Sequence, residues 1–259
     1  MSIGAPNAGL VAKQAAMKQR LWTCCIWSWP VCVIGFLIPF ALLADLIPPP
    51  APSMSAQEIA GMIAENRIGI RVGVILALWF SALLLPFYAV IAAEMRKIEG
   101  ENALLAPIQF ASSAILVCFF QIIGLAWLLM TYRPEINPEI VRTLNDYCWF
   151  VWSMLIPTYI FQYVSMALAG FMDVREQPLW PRWAAYFNLW VSITGAGGFL
   201  AVFFKVGPFA WNGIIGFWIP AILFGIGNTV TMVLLVRRRR YEQASPTMQS
   251  AGRTNAVAA

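Results

Sequence analysis

Four long apolar stretches of the chain carry uncharged hydrogen-bonding side chains three or four residues apart. Gln109, Ser112 and Ser113 form one set; Tyr159, Gln162 and Ser165 form a second. Asn188, Ser192 and the small residue Gly195 make a third, and Asn228 with Thr231 a fourth. At that spacing each set shares one face of a helix. Amides and hydroxyls of this kind donate and accept hydrogen bonds without carrying charge at neutral pH. Their chemistry is therefore recognition, either of one helix by another or of a small neutral or amphipathic molecule. Gln109, Ser113, Gln162, Ser165, Asn188, Ser192, Asn228 and Thr231 are the candidate ligand-binding residues. Two readings stay open. As interhelical glue, such contacts contribute on average about 0.6 kcal/mol each, with Gly195, Gly197, Gly198, Gly225 and Gly227 letting backbones approach. As a site, they would line a pocket open to the cytoplasm, with Pro157 and Pro220 loosening two helices by removing intrahelical bonds.

Catalytic chemistry finds little to use. The chain has no histidine, which removes the commonest metal ligand and general base and excludes haem oxidoreductases and zinc metalloproteases. Cys24, Cys25, Cys32, Cys118 and Cys148 have no C-x-x-C spacing and read as small apolar filler. "GAGG" at Gly195–Gly198 and "GIG" at Gly225–Gly227 fall inside apolar stretches rather than after a strand, so they are not phosphate loops. A charge near the centre of a bilayer costs at least roughly 2.5 kcal/mol. Asp45, Glu94 and Lys205 each lie near the end of an apolar stretch and are expected to anchor at the boundary. No metal, no cofactor and no catalytic residue is expected.

The elements that must position these residues follow from composition. Hydrophobic residues make up 60% and charged residues 11%, against about half and about a quarter in a soluble domain. The apolar residues gather into six blocks: Leu21–Ile47, Val72–Met95, Pro107–Tyr132, Tyr147–Met172, Ala184–Phe204 and Gly213–Val236. Each reaches the roughly 20 residues needed to cross a hydrocarbon core of about 30 Å. Nothing alternates as a barrel strand would, so the expected fold is all-α, a polytopic bundle of six transmembrane helices.

Lys and Arg are retained on the cytoplasmic side during insertion. With the N-terminus inside, 12 of the 17 lie in cytoplasmic segments, including the run Arg237–Arg240, and 5 outside. Both termini are thus expected in the cytoplasm, and the location is expected to be the plasma (inner) membrane of a bacterial cell. The basic balance is accordingly a threading signal, and no nucleic-acid partner is expected. Residues 1–20 form a cytoplasmic N-terminal segment ahead of a retained first span, residues 21–240 the membrane domain, and residues 241–259 a disordered cytoplasmic tail.

The connections carry signals of their own. Ser55 with Glu58 three residues on has the spacing of a reciprocal N-terminal cap. A short amphipathic outer helix between the first two spans should begin there, with Ile59, Met62 and Ile63 packed on the bundle. Asn137 and Pro138 suit the start of another helix, and Lys205–Gly213 reads as a tight link. Trp22, Trp180, Trp183 and Tyr186 at one boundary, and Trp79, Trp127, Tyr132, Trp149, Trp152, Trp211 and Trp218 at the other, read as interfacial anchors. "IGFLIP" at Ile34–Pro39 and "IGFWIP" at Ile215–Pro220 match closely. They lie in the first and sixth spans, where an inverted three-plus-three repeat would align the first with the fourth. The match is read as chance in apolar sequence.

The expected function is a small-molecule transporter or membrane receptor with a polar pocket open to the cytoplasm. The alternative is a non-catalytic accessory or scaffold subunit of a membrane complex. The expected partners are the lipid bilayer, a small neutral or amphipathic ligand, or another membrane protein.

Overall fold

A peptide group in hydrocarbon must find its hydrogen-bond partner within the protein, and a helix does so with local bonds alone. The computed structural model describes residues 8–154 and 156–244, and among these every regular element is helical. Six helical stretches are long and apolar enough to cross a membrane: Gly9–Leu43, Arg67–Glu99, Leu105–Tyr132, Pro138–Met172, Arg182–Val202 and Ile214–Ala244. The helices outrun the apolar blocks most at the start of the first and fourth spans and at the end of the sixth.

Several spans are interrupted. In the first, α1 (Ala8–Ile38) passes into a widened π turn at Pro39–Leu43. The second is preceded by α2 (Ala56–Glu65) and is split into α3 (Arg67–Ser81) and α4 (Leu84–Glu99). The third is an unbroken α5 (Leu105–Tyr132), and the fourth comprises α6 (Pro138–Met154) and α7 (Ile156–Met172). In the fifth, α8 (Arg182–Gly195) tightens into a 3₁₀ stretch at Ala196–Val202. The sixth starts with a π turn at Ile214–Trp218 and continues as α9 (Ile219–Ala244). Proline explains three of these sites: Pro39, Pro86 and Pro220 lack an N–H, and each ring crowds the carbonyl four residues earlier. In the second span the freed backbone re-pairs in tighter turns, Leu83 N–H to the Phe80 carbonyl and Leu85 N–H to the Ala82 carbonyl, both 3.1 Å. In the fifth, Gly195, Gly197 and Gly198 weaken the α-helix where it tightens.

At one end of the bundle the start of α1 meets the end of α9. Arg239 donates to the Gln19 carbonyl at 3.4 Å and lies 4.9 Å from the Trp22 ring centre. The loop after α7 closes this end. Asp173 receives the Arg175 guanidinium at 2.7 and 2.6 Å and the Leu179 N–H at 2.8 Å. Burial alone would raise the Asp173 carboxyl, but these bonds outweigh it and hold the group below the ordinary carboxylate range. At the far end, Ser55 and Glu58 form the reciprocal cap of α2, and Ile59 and Ile63 are buried against the bundle. Asn137 Oδ1 accepts the Glu139 N–H at 2.9 Å at the start of α6. Arg71 bonds the Thr131 hydroxyl at 3.2 Å and the Thr131 carbonyl, satisfying the last turn of α5.

Two cores fill the bundle. Trp29, Phe87, Tyr88, Met95, Tyr163, Met166 and Trp180 belong to the one nearer the chain ends. The far core is built on Phe40, Trp127, Cys148, Trp149, Trp211 and Phe217. Phe120 packs against both.

The described structure corrects several expectations. Trp79, Tyr132, Trp183 and Tyr186 are exposed, but Trp127, Trp149, Trp180 and Trp211 are buried. Trp127 meets Trp149 edge-on at 5.4 Å and Trp211 meets Phe150 edge-on at 5.2 Å, and the Trp211 N–H reaches the Pro50 carbonyl at 2.9 Å. An indole packed among rings in this way gains more from packing than from the interface. Glu94 is not a boundary anchor: it is 1% exposed, with Lys97 Nζ at 2.6 Å. Arg238, in the terminal arginine run, is buried and donates to the Gln177 carbonyl at 2.6 Å. That contact, with the Arg238–Glu242 pair at 3.1 Å, accompanies α9 onward through Tyr241–Ala244, where disorder was expected. The rest of the expected tail, 245–259, lies outside the described residues, as does the start of the N-terminal segment, 1–7.

Candidate functional site

The two cores leave a cavity of about 200 Å³ between them. An apolar cavity of about 150 Å³ in another protein stays dry and binds benzene, so this one has room for a ring with substituents. From α1 it is lined by Trp29, Cys32, Val33, Phe36 and Leu37. Ser81 and Leu84, on either side of the second-span break, contribute, as do Leu116 and Phe120 of α5 and Trp152, Ser153 and Tyr159 of the fourth span. Gly195 and Gly216, Phe217, Pro220, Ala221, Phe224 and Gly225 complete it. Seven of these residues are aromatic and none is charged.

The position of the cavity follows from the backbone. The first, second, fifth and sixth spans all leave regular α-helix within a few residues of their lining positions, and the fourth carries Pro157 between Ser153 and Tyr159. Irregular backbone at such depth is tolerated where protein buries it or where it faces a cavity. Both copies of the apparently chance repeat are lining segments, through Phe36 and Leu37 in one and Gly216, Phe217 and Pro220 in the other. Their glycines serve packing. A Cβ on Gly35 would lie 2.2 Å from the Phe80 ring, and one on Gly216 would lie 2.2 Å from the Ala210 carbonyl oxygen.

Three polar side chains, Ser81, Ser153 and Tyr159, are among the lining residues. Ser81 is satisfied, donating to the Leu78 carbonyl at 2.8 Å and accepting from Gln121 at 2.8 Å. Ser153 Oγ and the Tyr159 hydroxyl are buried with no hydrogen-bond partner. The Tyr159 ring lies 4.9 Å from that of Tyr163. The Tyr163 hydroxyl donates to the Phe224 carbonyl at 3.4 Å and accepts from Asn228 Nδ2 at 3.0 Å. Tyr88 faces Gln162, Cys32 and Asn228. The Tyr88 hydroxyl, both amide atoms of Gln162 and Asn228 Oδ1 make no hydrogen bond of good geometry. This is a polar layer with spare donors and acceptors behind the Tyr159 ring.

All eight residues expected to bind ligand are buried, and none lines the cavity. Gln162 and Asn228 come together in the layer around Tyr88 and Tyr163. Thr231 accepts the Trp180 N–H at 3.4 Å. Gln109 and Ser113 bond each other at 3.0 Å along α5. Ser165 and Ser192 donate to carbonyls of their own helices, Phe161 and Leu189, both at 2.7 Å. Asn188 is buried with its Nδ2 unpaired. Sequence spacing did not single out Ser153, Tyr88 or Tyr163. Tyr163 stands four residues after Tyr159 and marks the same helix face. Cys32, expected as filler, lines the cavity.

Comparison with protein-family models, with curated proteins and with solved structures gives no match.

Proposed function

We propose that the chain is a multi-pass protein of the plasma membrane that binds a small lipid-soluble molecule in the cavity between its two cores, as a receptor or transporter. The observation that supports this reading most is the coincidence of four helix interruptions with one apolar cavity at mid-bundle. Membrane transporters place their sites where spanning helices are discontinuous. Breaks gathered around one space support the reading that the space is used. The reading differs from a cytoplasm-open polar pocket in that the wall is aromatic and aliphatic.

The distribution of Lys and Arg supports a threading with both chain ends in the cytoplasm and α2 outside. A cysteine replacing Ser55, in a chain otherwise freed of thiols, is expected to react with a membrane-impermeant maleimide in intact cells, and one replacing Lys13 is not. Labelling at position 13 alone would invert the threading.

Binding is tested with 4-fluorotoluene and ¹⁹F NMR on the protein in lipid nanodiscs. Saturable binding is expected in the unaltered protein. It is expected to vanish in Gly225→Leu, because Gly225 lines the cavity and a Cβ there meets nothing within 4 Å, so the side chain is directed into open space. Non-saturable partitioning that is identical in both proteins would overturn the reading and leave an accessory-subunit role in its place.

A further inference from the structure

We infer that the occupant of this cavity is a lipid-soluble ring compound bearing a single hydroxyl or carbonyl oxygen, held by Tyr159 and Ser153 and admitted from the bilayer between the first and sixth spans. The inference rests on the cavity being a binding site and adds the chemistry of what binds.

The size and lining set the body of the ligand. Seven aromatic side chains around about 200 Å³ suit a flat ring, which can stack or meet ring edges as the wall residues already do with one another. Trp152, for example, lies 5.1 Å edge-on to Phe120 and 6.1 Å from Phe217. With no charged residue in the lining, an ionised ligand would lose its hydration without compensation. A pure hydrocarbon would leave two hydroxyls unsatisfied. Tyr159 and Ser153 are each 8% exposed, and both oxygens are unpartnered. Buried polar groups of native proteins are nearly always paired, so each orphan calls for a reason. A hydroxyl can donate or accept, so this pair accommodates either an –OH or a C=O on the ligand. The layer behind Tyr159, with Tyr88, Gln162 and Asn228, holds further unpaired groups. A hydrogen bond made at Tyr159 is thereby backed by polar neighbours rather than by hydrocarbon.

The entry route follows from what closes the cavity. Trp29, Cys32, Ser81, Leu84, Leu116 and Phe217 are buried. Leu37, also in the lining, is 46% exposed, and Gly225 on the sixth span has open space where a side chain would stand. Nearer the chain ends the same two spans are clipped together, the Trp29 N–H donating to Thr229 Oγ1 at 3.0 Å. The opening therefore faces sideways, on the surface where Ile34, Ile38, Ile222 and Ile226 are exposed as they would be to lipid. A solute that dissolves in the bilayer reaches such an opening directly, whereas a water-soluble one does not.

The test pairs 4-fluorophenol with 4-fluorotoluene, which differ by hydroxyl against methyl, with affinities counted from the lipid phase to remove partitioning. The phenol is expected to bind about tenfold more tightly, the value of one hydrogen bond to an otherwise unpaired buried group. The double substitution Tyr159→Phe with Ser153→Ala removes two oxygens that make no hydrogen bond in the protein, and its folding is checked by the same thermal unfolding as the parent. It is expected to erase the advantage of the phenol over fluorotoluene, both affinities being measured in the same variant. Equal affinities in the unaltered protein would overturn the polar assignment while the cavity reading stands. An advantage that survives the double substitution would overturn the roles of Tyr159 and Ser153. Absence of saturable binding by both probes would remove the cavity reading and this inference together. Leu37→Trp, placed at the exposed mouth of the opening, is expected to slow exchange of both probes in nanodiscs while saturable binding persists, and unchanged exchange would overturn the lateral route.

Discussion

Trp149→Ala is expected to lower the unfolding free energy in mixed micelles by roughly 3 kcal/mol, toward the lower end of the range for removing a buried tryptophan. Trp149 is fully buried, meets Trp127 at 5.4 Å and Phe217 at 5.8 Å edge-on, and donates its N–H to Asn145 Oδ1 at 3.2 Å. The estimate sits low because the competing unfolded state in lipid keeps the indole in hydrocarbon. What is lost is therefore contact, hydrogen bonding and a filled volume rather than transfer from water. Trp149→Phe retains much of the ring packing and is expected to fall between. A loss below about 0.5 kcal/mol in Trp149→Ala, the level of an ordinary surface change, would show that the far core is not the packed unit described here.

The second large effect is expected at Gly73. A Cβ there would lie 2.6 Å from the Pro39 carbonyl oxygen and 2.7 Å from the Ala44 nitrogen, both backbone atoms of the widened turn that ends the first span. A flexible side chain could swing away from the intruding atom, but this turn can yield only by separating two helices. Gly73→Leu is expected to destabilise by about 3 kcal/mol, at or beyond the usual ceiling for overpacking. Gly225→Ala is the contrasting change: nothing lies within 4 Å of its Cβ, and its stability is expected to equal or exceed that of the parent. Denaturation of the two variants side by side checks both, and a tolerated Gly73→Leu would contradict the close approach of α3 to that turn.

Much of the architecture was legible because hydrocarbon imposes a length and a composition on whatever crosses it. Neither depends on which helix touches which. Ser55 and Glu58, Asn137 and Pro138 were legible for a related reason, since capping is decided within four residues. The tryptophans were not. Trp79 and Trp149 stand in similar apolar surroundings in the chain, yet one is 77% exposed and the other is buried, because only the rotation of each helix about its axis separates them. The polar set was half legible. Spacing put Gln162 and Ser165 on one face, but spacing cannot say whether that face meets Tyr88 and Asn228 or merely its own backbone. The cavity was not legible at all, since it is made of the places where side chains from five different spans stop short of one another. Its nearest trace in sequence was Pro39, Pro86, Pro157 and Pro220, of which Pro157 and Pro220 alone were read as looseners and none as marking a shared depth.

That shared depth has a mechanical consequence. A helix resists bending through its ladder of hydrogen bonds, and it bends most readily where rungs are missing or displaced. Five of the six rods have such weak rungs at the same level, the fourth through Pro157, while α5 runs through it unbroken. Compliance is thus concentrated in one plane, with a single stiff member crossing it as a mast. A molecule seated in that plane would add material between the two ends beside the mast, so the tilt of one end against the other would depend on the girth of what sits there.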